Sequence, residues 1–181
     1  NGSYPATSSD WDNVSNVETI EIKGEGDVSI SFSDTVCPEN HSLTIDASGL
    51  GGSFYFDGSL AVGPLPVVGT SDADDINGGS GNDTFTGGDG GDTLDGRGGS
   101  DTLDYSEVGG GAGVTMDTGA GTVVDTFGAT DTVLNMEHFI GTDEDDLVLV
   151  KSANLDTGIS IDLGSEGDGD TLKVMFNGAV D

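Results

Sequence analysis

Basic residues are nearly missing from this chain of 181 residues: Lys23, Arg97, Lys151 and Lys173 face 34 acidic residues, a formal charge of -30. A phosphate backbone would be repelled, which excludes nucleic acid as a partner and disfavours an anionic membrane surface. Cysteine is limited to Cys37, so no internal disulfide can form, and that residue reads as a small apolar side chain near a strand. The two histidines, His41 and His138, lie far apart without an HExxH helix, leaving catalytic zinc without a ligand set. His138 reads as an edge residue rather than a base. No GxSxG elbow, GK[ST] loop or strand-to-helix GxGxxG is present. No apolar run approaches a membrane span, and no apolar spacing of three and four persists, so helices are not expected. No cleavable N-terminal signal is evident, and Asn1 rather than Met stands first, as in a trimmed or processed chain.

What the chain has in abundance is glycine, 32 residues, and aspartate in a fixed rhythm. From Gly69 to Asp104 four words of nine residues follow without a gap: GTSDADDIN, GGSGNDTFT, GGDGGDTLD and GRGGSDTLD. Each carries aspartate at its sixth place (Asp74, Asp83, Asp92, Asp101) and a large apolar residue at its eighth (Ile76, Phe85, Leu94, Leu103). A period of this kind predicts a solenoid. Six glycine- and aspartate-rich residues form a turn, and three form a short strand with one side chain inward. Two words make one flattened coil, and coils stack about 4.8 Å apart, each turn over the turn two words earlier.

One inward apolar residue per nine is too little burial to offset the ordering of nine backbones. In-register aspartates also repel. The stack therefore needs a cation, and facing turns offer two carboxylates plus carbonyl oxygens, the hard donors that suit Ca²⁺. Asp74 is expected to share an ion with Asp92, and Asp83 with Asp101. Aspartate pairs could mimic a glycosidase dyad, but the period already accounts for them.

The words resemble the GGxGxDxUx repeat of the haemolysin-type calcium-binding, or RTX, family, U being a large apolar residue. The resemblance implies an all-β, right-handed parallel β-roll, several bound Ca²⁺ ions, and export from a bacterium. It implies carbonyl ligands from Gly69, Ser71, Gly78, Gly79, Ser80, Gly81, Gly87, Gly88, Asp89, Gly90, Gly96 and Gly98. Thr70, Asp72 and Arg97 depart from the glycine places of their words.

Flanking regions divide the chain into residues 1–68 and 69–181. In the first, alternation over VETIEI and strands at Val28 to Phe32, Leu43 to Ala47 and Phe54 to Phe56 are expected, with glycine punctuation. They read either as metal-poor rungs of the same solenoid or as a small separate β domain, with Trp11 as a cap and Pro64 and Pro66 at the join. VSNVETIEI and LTIDASGL resemble, more weakly, stretches that precede calcium repeats in bacterial surface-layer and adhesin proteins. Residues 105–149 resemble a longer variant rung of the RTX family, with Val114, Met116, Val123, Val133, Met136, Phe139 and Ile140 read as core. Asp131 is a further candidate ligand, and GTDEDDLVL restores a nonad with Asp146 in the ligand place. In 150–181 a partial echo, GDGDTLKV, places Asp168 and Asp170 before Leu172, and the last residues cap the roll or pass to a further domain.

The functional expectation is a non-enzymatic calcium-binding structural or assembly module of a secreted, extracellular or cell-surface bacterial protein, a surface layer or adhesin. Its partners would be calcium ions and possible neighbours of its own kind or of the surface layer, without nucleic acid. The alternative is the C-terminal folding and secretion module of an RTX exoenzyme such as a protease, lipase or epimerase. A hydrolase or zinc-protease motif upstream would decide for the latter.

Overall fold

The computed structural model describes residues 4–6 (backbone only), 16–32, 36–151, 158–164 and 169–175. Trp11 and Asp168 lie outside these residues. Among the described residues there is no helix, and every regular element is a strand.

Each nonad ends as a three-residue strand. These are β7 (Asp75–Asn77), β8 (Thr84–Thr86), β9 (Thr93–Asp95) and β10 (Thr102–Asp104). Only the middle residue of each points inward, and Ile76, Phe85, Leu94 and Leu103 are all fully buried. Alternation across the pleat produces this one-in, two-out pattern. Upstream the chain forms β1 (Tyr4–Ala6), β2 (Thr19–Glu25), β3 (Val28–Ser31), β4 (Thr44–Gly51), β5 (Phe54–Asp57) and β6 (Pro66–Val68).

Strands alternate between two parallel sheets as the chain coils. Odd-numbered strands β1-β3-β5-β7-β9 run side by side in one sheet, and β2-β4-β6-β8-β10 in the other. In-register pairing stacks the inward residues into two ladders. Phe56, Ile76 and Leu94 follow one another in the first sheet, and Ile45, Val67, Phe85 and Leu103 in the second. Strands β2–β6 thus occupy rungs of the same two sheets as the nonads, and Pro66 starts a strand, where its missing N–H is tolerated. Phe32 meets Phe56 edge-on with ring centroids 5.1 Å apart, and Phe54 stacks on Phe56 at 5.8 Å, so the upstream rungs carry a larger apolar interior. Cys37 is fully buried, its Sγ 3.3 Å from the His41 carbonyl.

Ile76→Val removes one methylene group from a ladder packed above and below. The expected cost is about 0.5–1.5 kcal/mol, read as a lowered melting temperature in saturating calcium. An unchanged melting temperature would mean that the ladder is loose at this point.

After β10 the period breaks, and the structure shows how. Residues 105–140 form β11 (Thr115–Asp117), β12 (Thr122–Val124), β13 (Thr130–Leu134) and β14 (His138–Ile140). β14 stacks directly on β10, but β11, β12 and β13 all enter the first sheet. β13 pairs parallel with β9, β12 is antiparallel to both β13 and β11, and β11 passes the sheet on in parallel to β15 (Leu147–Lys151). The variant rung is therefore an antiparallel meander that adds two strands to one side of an otherwise parallel roll. β16 (Ser160–Asp162) and β17 (Thr171–Met175) then follow on β14 and β15.

Val114, Met116, Val123, Val133 and Phe139 are core, with Met136 packed partly against them. Ile140 is a correction: it is only half buried, because it follows inward Phe139 and alternation turns it out. Leu172 sits opposite Val148 yet is 54% exposed.

Candidate metal centre

The turns stack as columns, and the sixth-place aspartates form their spine. Asp74 Oδ1 accepts the N–H of Phe54 at 2.7 Å, Asp92 Oδ1 that of Asp74 at 2.9 Å, and Asp131 Oδ1 that of Asp92 at 2.9 Å. On the opposite side, Asp83 Oδ1 accepts from Leu65 at 2.9 Å, Asp101 from Asp83 at 2.8 Å, and Glu137 Oε2 from Asp101 at 2.9 Å. The pairs Asp74–Asp92 and Asp83–Asp101 are thus brought together, and Asp131 extends the first column. A third run links Val114, Asp146 and Asp170, at 2.7 and 2.9 Å. Asp74, Asp83, Asp92, Asp101, Asp131 and Asp146 are all buried, an arrangement that carboxylates adopt only when paired or bound.

The second carboxylate oxygen divides the turns into two kinds. In three turns it is satisfied from within: Asp74 Oδ2 by Thr70 N–H at 2.7 Å, Asp83 Oδ2 by Gly79 at 2.8 Å, and Asp146 Oδ2 by Thr142 at 2.7 Å. Thr70 and Thr142 add hydroxyl bonds to the same aspartates, at 2.9 and 3.0 Å, so their departures from glycine tighten the turn. In the third and fourth words the oxygen has no partner. Asp92 Oδ2 and Asp101 Oδ2 are fully buried and unbonded; the second-place residues Gly88 and Arg97 take positive φ (+106° and +65°), and Arg97 N–H donates to Asp95 Oδ1 at 3.0 Å instead. Arg97 tolerates this left-handed backbone and reaches Asn77 Oδ1 at 3.3 Å.

Why glycine occupies the first place is visible in space. A Cβ built on Gly69 would stand 2.5 Å from Asp74 Oδ2, and one on Gly96 2.5 Å from Asp101 Oδ2. Cβ atoms on Gly78, Gly87 and Gly141 would collide likewise with Asp83, Asp92 and Asp146. Each turn is a cradle that leaves room for the carboxylate five residues on. The first-place residues also meet across layers, with the Gly87 carbonyl against Gly69 and the Gly96 carbonyl against Gly78. Of the candidate carbonyl residues, Gly69, Gly78, Gly79, Gly81, Gly87 and Gly96 are buried in the stack, and Gly88, Asp89 and Gly90 are half buried. Ser71, Ser80 and Gly98 lie exposed, and the Gly79 carbonyl is already bonded to Gly98 N–H at 3.2 Å.

Among the described residues no three His, Cys, Asp or Glu side chains converge as a metal cluster. The donor set is instead two carboxylates per interface with backbone carbonyls. That is an all-oxygen set, and together with the orphaned oxygens and glycine cradles it fits Ca²⁺.

Sequence reasoning missed Glu137 as a column member. Its turn, Asn135–Glu137, has shortened to three residues, and the extra methylene of glutamate covers the missing reach; Asn135 takes φ +53° there. Phe139 two residues later, in the place of the eighth-position apolar residue, was the available signal. Tyr105 was missed too: fully buried, its hydroxyl donates to Asp131 Oδ2 at 2.5 Å.

Burial pushes the carboxyls of Asp92 and Asp101 up to about 7 in the metal-free chain. The charges of Asp131, Asp74 and Asp125 add to the effect at Asp92, and those of Asp83, Glu137 and Asp95 at Asp101. A raised folded-state pKa means that the folded chain holds protons that the unfolded chain releases above about pH 4. These two groups therefore lower metal-free stability progressively from about pH 4 to about pH 7. Protons and calcium compete for the same oxygens. Apparent calcium affinity is expected to fall as pH drops from 8 to 6, with proton release on binding; a pH-independent calorimetric titration would contradict this.

Fold and turns together define a parallel β-roll whose stacked bends are built for cations. Residues 68–103 match the family model of the RTX calcium-binding nonapeptide repeat, in four copies. That segment is an RTX repeat array, and such repeats bind Ca²⁺ between their turns. Searches of curated proteins and of solved structures find no match.

Proposed function

We propose that this chain is a non-enzymatic structural or assembly module of a secreted bacterial cell-surface protein, a surface layer or adhesin, in which calcium acts as the folding switch. The observation that carries this reading is the use of the buried acids: they are strung as column spines along the roll, each bonded to the backbone of the neighbouring layer. Carboxylates so committed hold layers together. Calcium scarcity inside a cell leaves sites with dissociation constants on the order of 10⁻⁴–10⁻³ M empty, so the chain stays exportable and folds outside.

Charge supports the same setting. With -30 on the chain, neighbours of the same kind approach only when cations screen or bridge them. Among the described residues no helix is long and apolar enough to cross a membrane. Light scattering of the chain across a millimolar calcium series tests the assembly role, with calcium-dependent growth expected. A monomer throughout would overturn assembly and leave the roll intact.

A further inference from the structure

Asp125 belongs to none of the four tandem nonads. It opens the hairpin turn between β12 and β13, where its Oδ1 accepts N–H groups from Phe127 at 2.9 Å and Ala129 at 2.8 Å. The turn closes with Asp125 N–H on the Ala129 carbonyl at 3.0 Å. One oxygen thus shapes the turn. The other, Oδ2, is buried without a partner on a residue only 3% exposed.

This hairpin lies on the turn of the third nonad. Asp131 accepts from Asp92 N–H, Thr132 N–H donates to the Asp92 carbonyl at 2.7 Å, and Gly91 faces the Thr130 carbonyl. Asp92 also has a buried, partnerless Oδ2, and the charge of Asp125 acts on this carboxyl across the hairpin. Asp131, also buried, has both oxygens engaged, Oδ1 by Asp92 N–H and Oδ2 by Tyr105. The described salt bridges, Lys23–Glu21 and Lys151–Asp117, lie elsewhere. Buried carboxylate oxygens without hydrogen bonds call for a cation.

We propose that Asp125 and Asp92 are carboxylate ligands of a Ca²⁺ ion held between the turn 87–92 and the hairpin 125–131, completed by backbone carbonyls. The inference rests on the calcium reading of the repeats and adds a ligand that lies outside the repeat. Thr126 and Phe127 occupy the hairpin where a nonad would have glycines, and Asp125 supplies an oxygen from its side chain instead. The ion pins the antiparallel insertion to the repeat array. The loop after Tyr105 is tied to the same hairpin, since Thr126 Oγ1 donates to the Gly109 carbonyl.

The test uses the full 181-residue chain. Calorimetry with Ca²⁺ counts the ions, and Tb³⁺ emission excited through tyrosine reports occupancy beside Tyr105. Asp125→Asn is expected to bind one ion fewer while retaining the others. Tyr105→Phe is expected to keep the ion count and lose at least half of the tyrosine-excited emission. An unchanged count in Asp125→Asn, or unchanged emission in Tyr105→Phe, would overturn the site. Should Asp125→Asn fail to give a β signal in saturating calcium, the Tyr105→Phe emission decides. A wild-type chain that binds no ion at all would refute the calcium reading itself, a distinguishable result.

Discussion

In excess chelator at neutral pH the chain is expected to lose most of its far-UV β-sheet signal, and to regain it when calcium is returned to the millimolar range. Two features of the structure set the size of this effect. The nonads bury one large apolar side chain each, and at every layer they bring buried carboxylates into succession, including the partnerless oxygens of Asp92 and Asp101. Without metal these acids must either ionise in a dry interior or take up protons, and near neutrality both are unfavourable. Filling the sites to a hundred times their dissociation constant stabilises the fold by about 2.7 kcal/mol per independent ion. Several such ions together are comparable to the net stability typical of a domain. Full β structure in chelator would show that the apolar ladders suffice. The upstream rungs, with Phe32, Phe54 and Phe56 in contact, are the part expected to retain most residual structure.

Gly99→Val is expected to be nearly as damaging, although it removes no ligand and no charge. Gly99 has φ +129°, and a Cβ there would run into the Gly81 carbonyl of the layer beneath. Gly88 repeats the situation at φ +106° against the Thr70 carbonyl. A β-branched residue in this backbone region costs about 1–3 kcal/mol, and overpacking against backbone that cannot retreat about 1–3 kcal/mol more. Displaced layers also pull apart the facing oxygens, so calcium affinity and melting temperature should fall together. Gly109→Ala is the control: a Cβ there meets nothing within 4 Å and the backbone is not left-handed, so both readouts should stay near wild type. Equal losses from the two substitutions would mean that layer spacing is not what limits metal binding.

Much of this was legible in the residues because the repeat is short and each place has one job. The first glycine of a word clears space for its aspartate, the aspartate bonds the next layer, and the eighth residue fills the interior. Such a code requires only sequential neighbours, and the pairing of Asp83 with Asp101 follows from counting. Legibility fails where a turn changes length. Three residues, Asn135–Glu137, do the work of six, so counting by nines passes over Glu137, although its carboxylate caps Asp101. Between Tyr105 and His138 nothing in the apolar spacing distinguishes one long rung from a three-strand meander, since both alternate in and out. Strands β2–β6 posed the same ambiguity: alternation alone fits rungs or a sandwich, and pairing of β5 with β7 and of β6 with β8 puts them in the roll's sheets.

The sequence by itself determined the all-β roll, the columns of Asp74, Asp83, Asp92 and Asp101, and the oxygen chemistry that suits calcium, because these depend on a local nine-residue spacing repeated without a gap. Only the tertiary structure decided which carboxylate oxygens are left without partners, that β11–β13 widen one sheet, and that Asp131 and Tyr105 meet beside Asp92. Those outcomes depend on how far a loop travels before it rejoins a sheet, which is fixed by packing between residues distant in the chain.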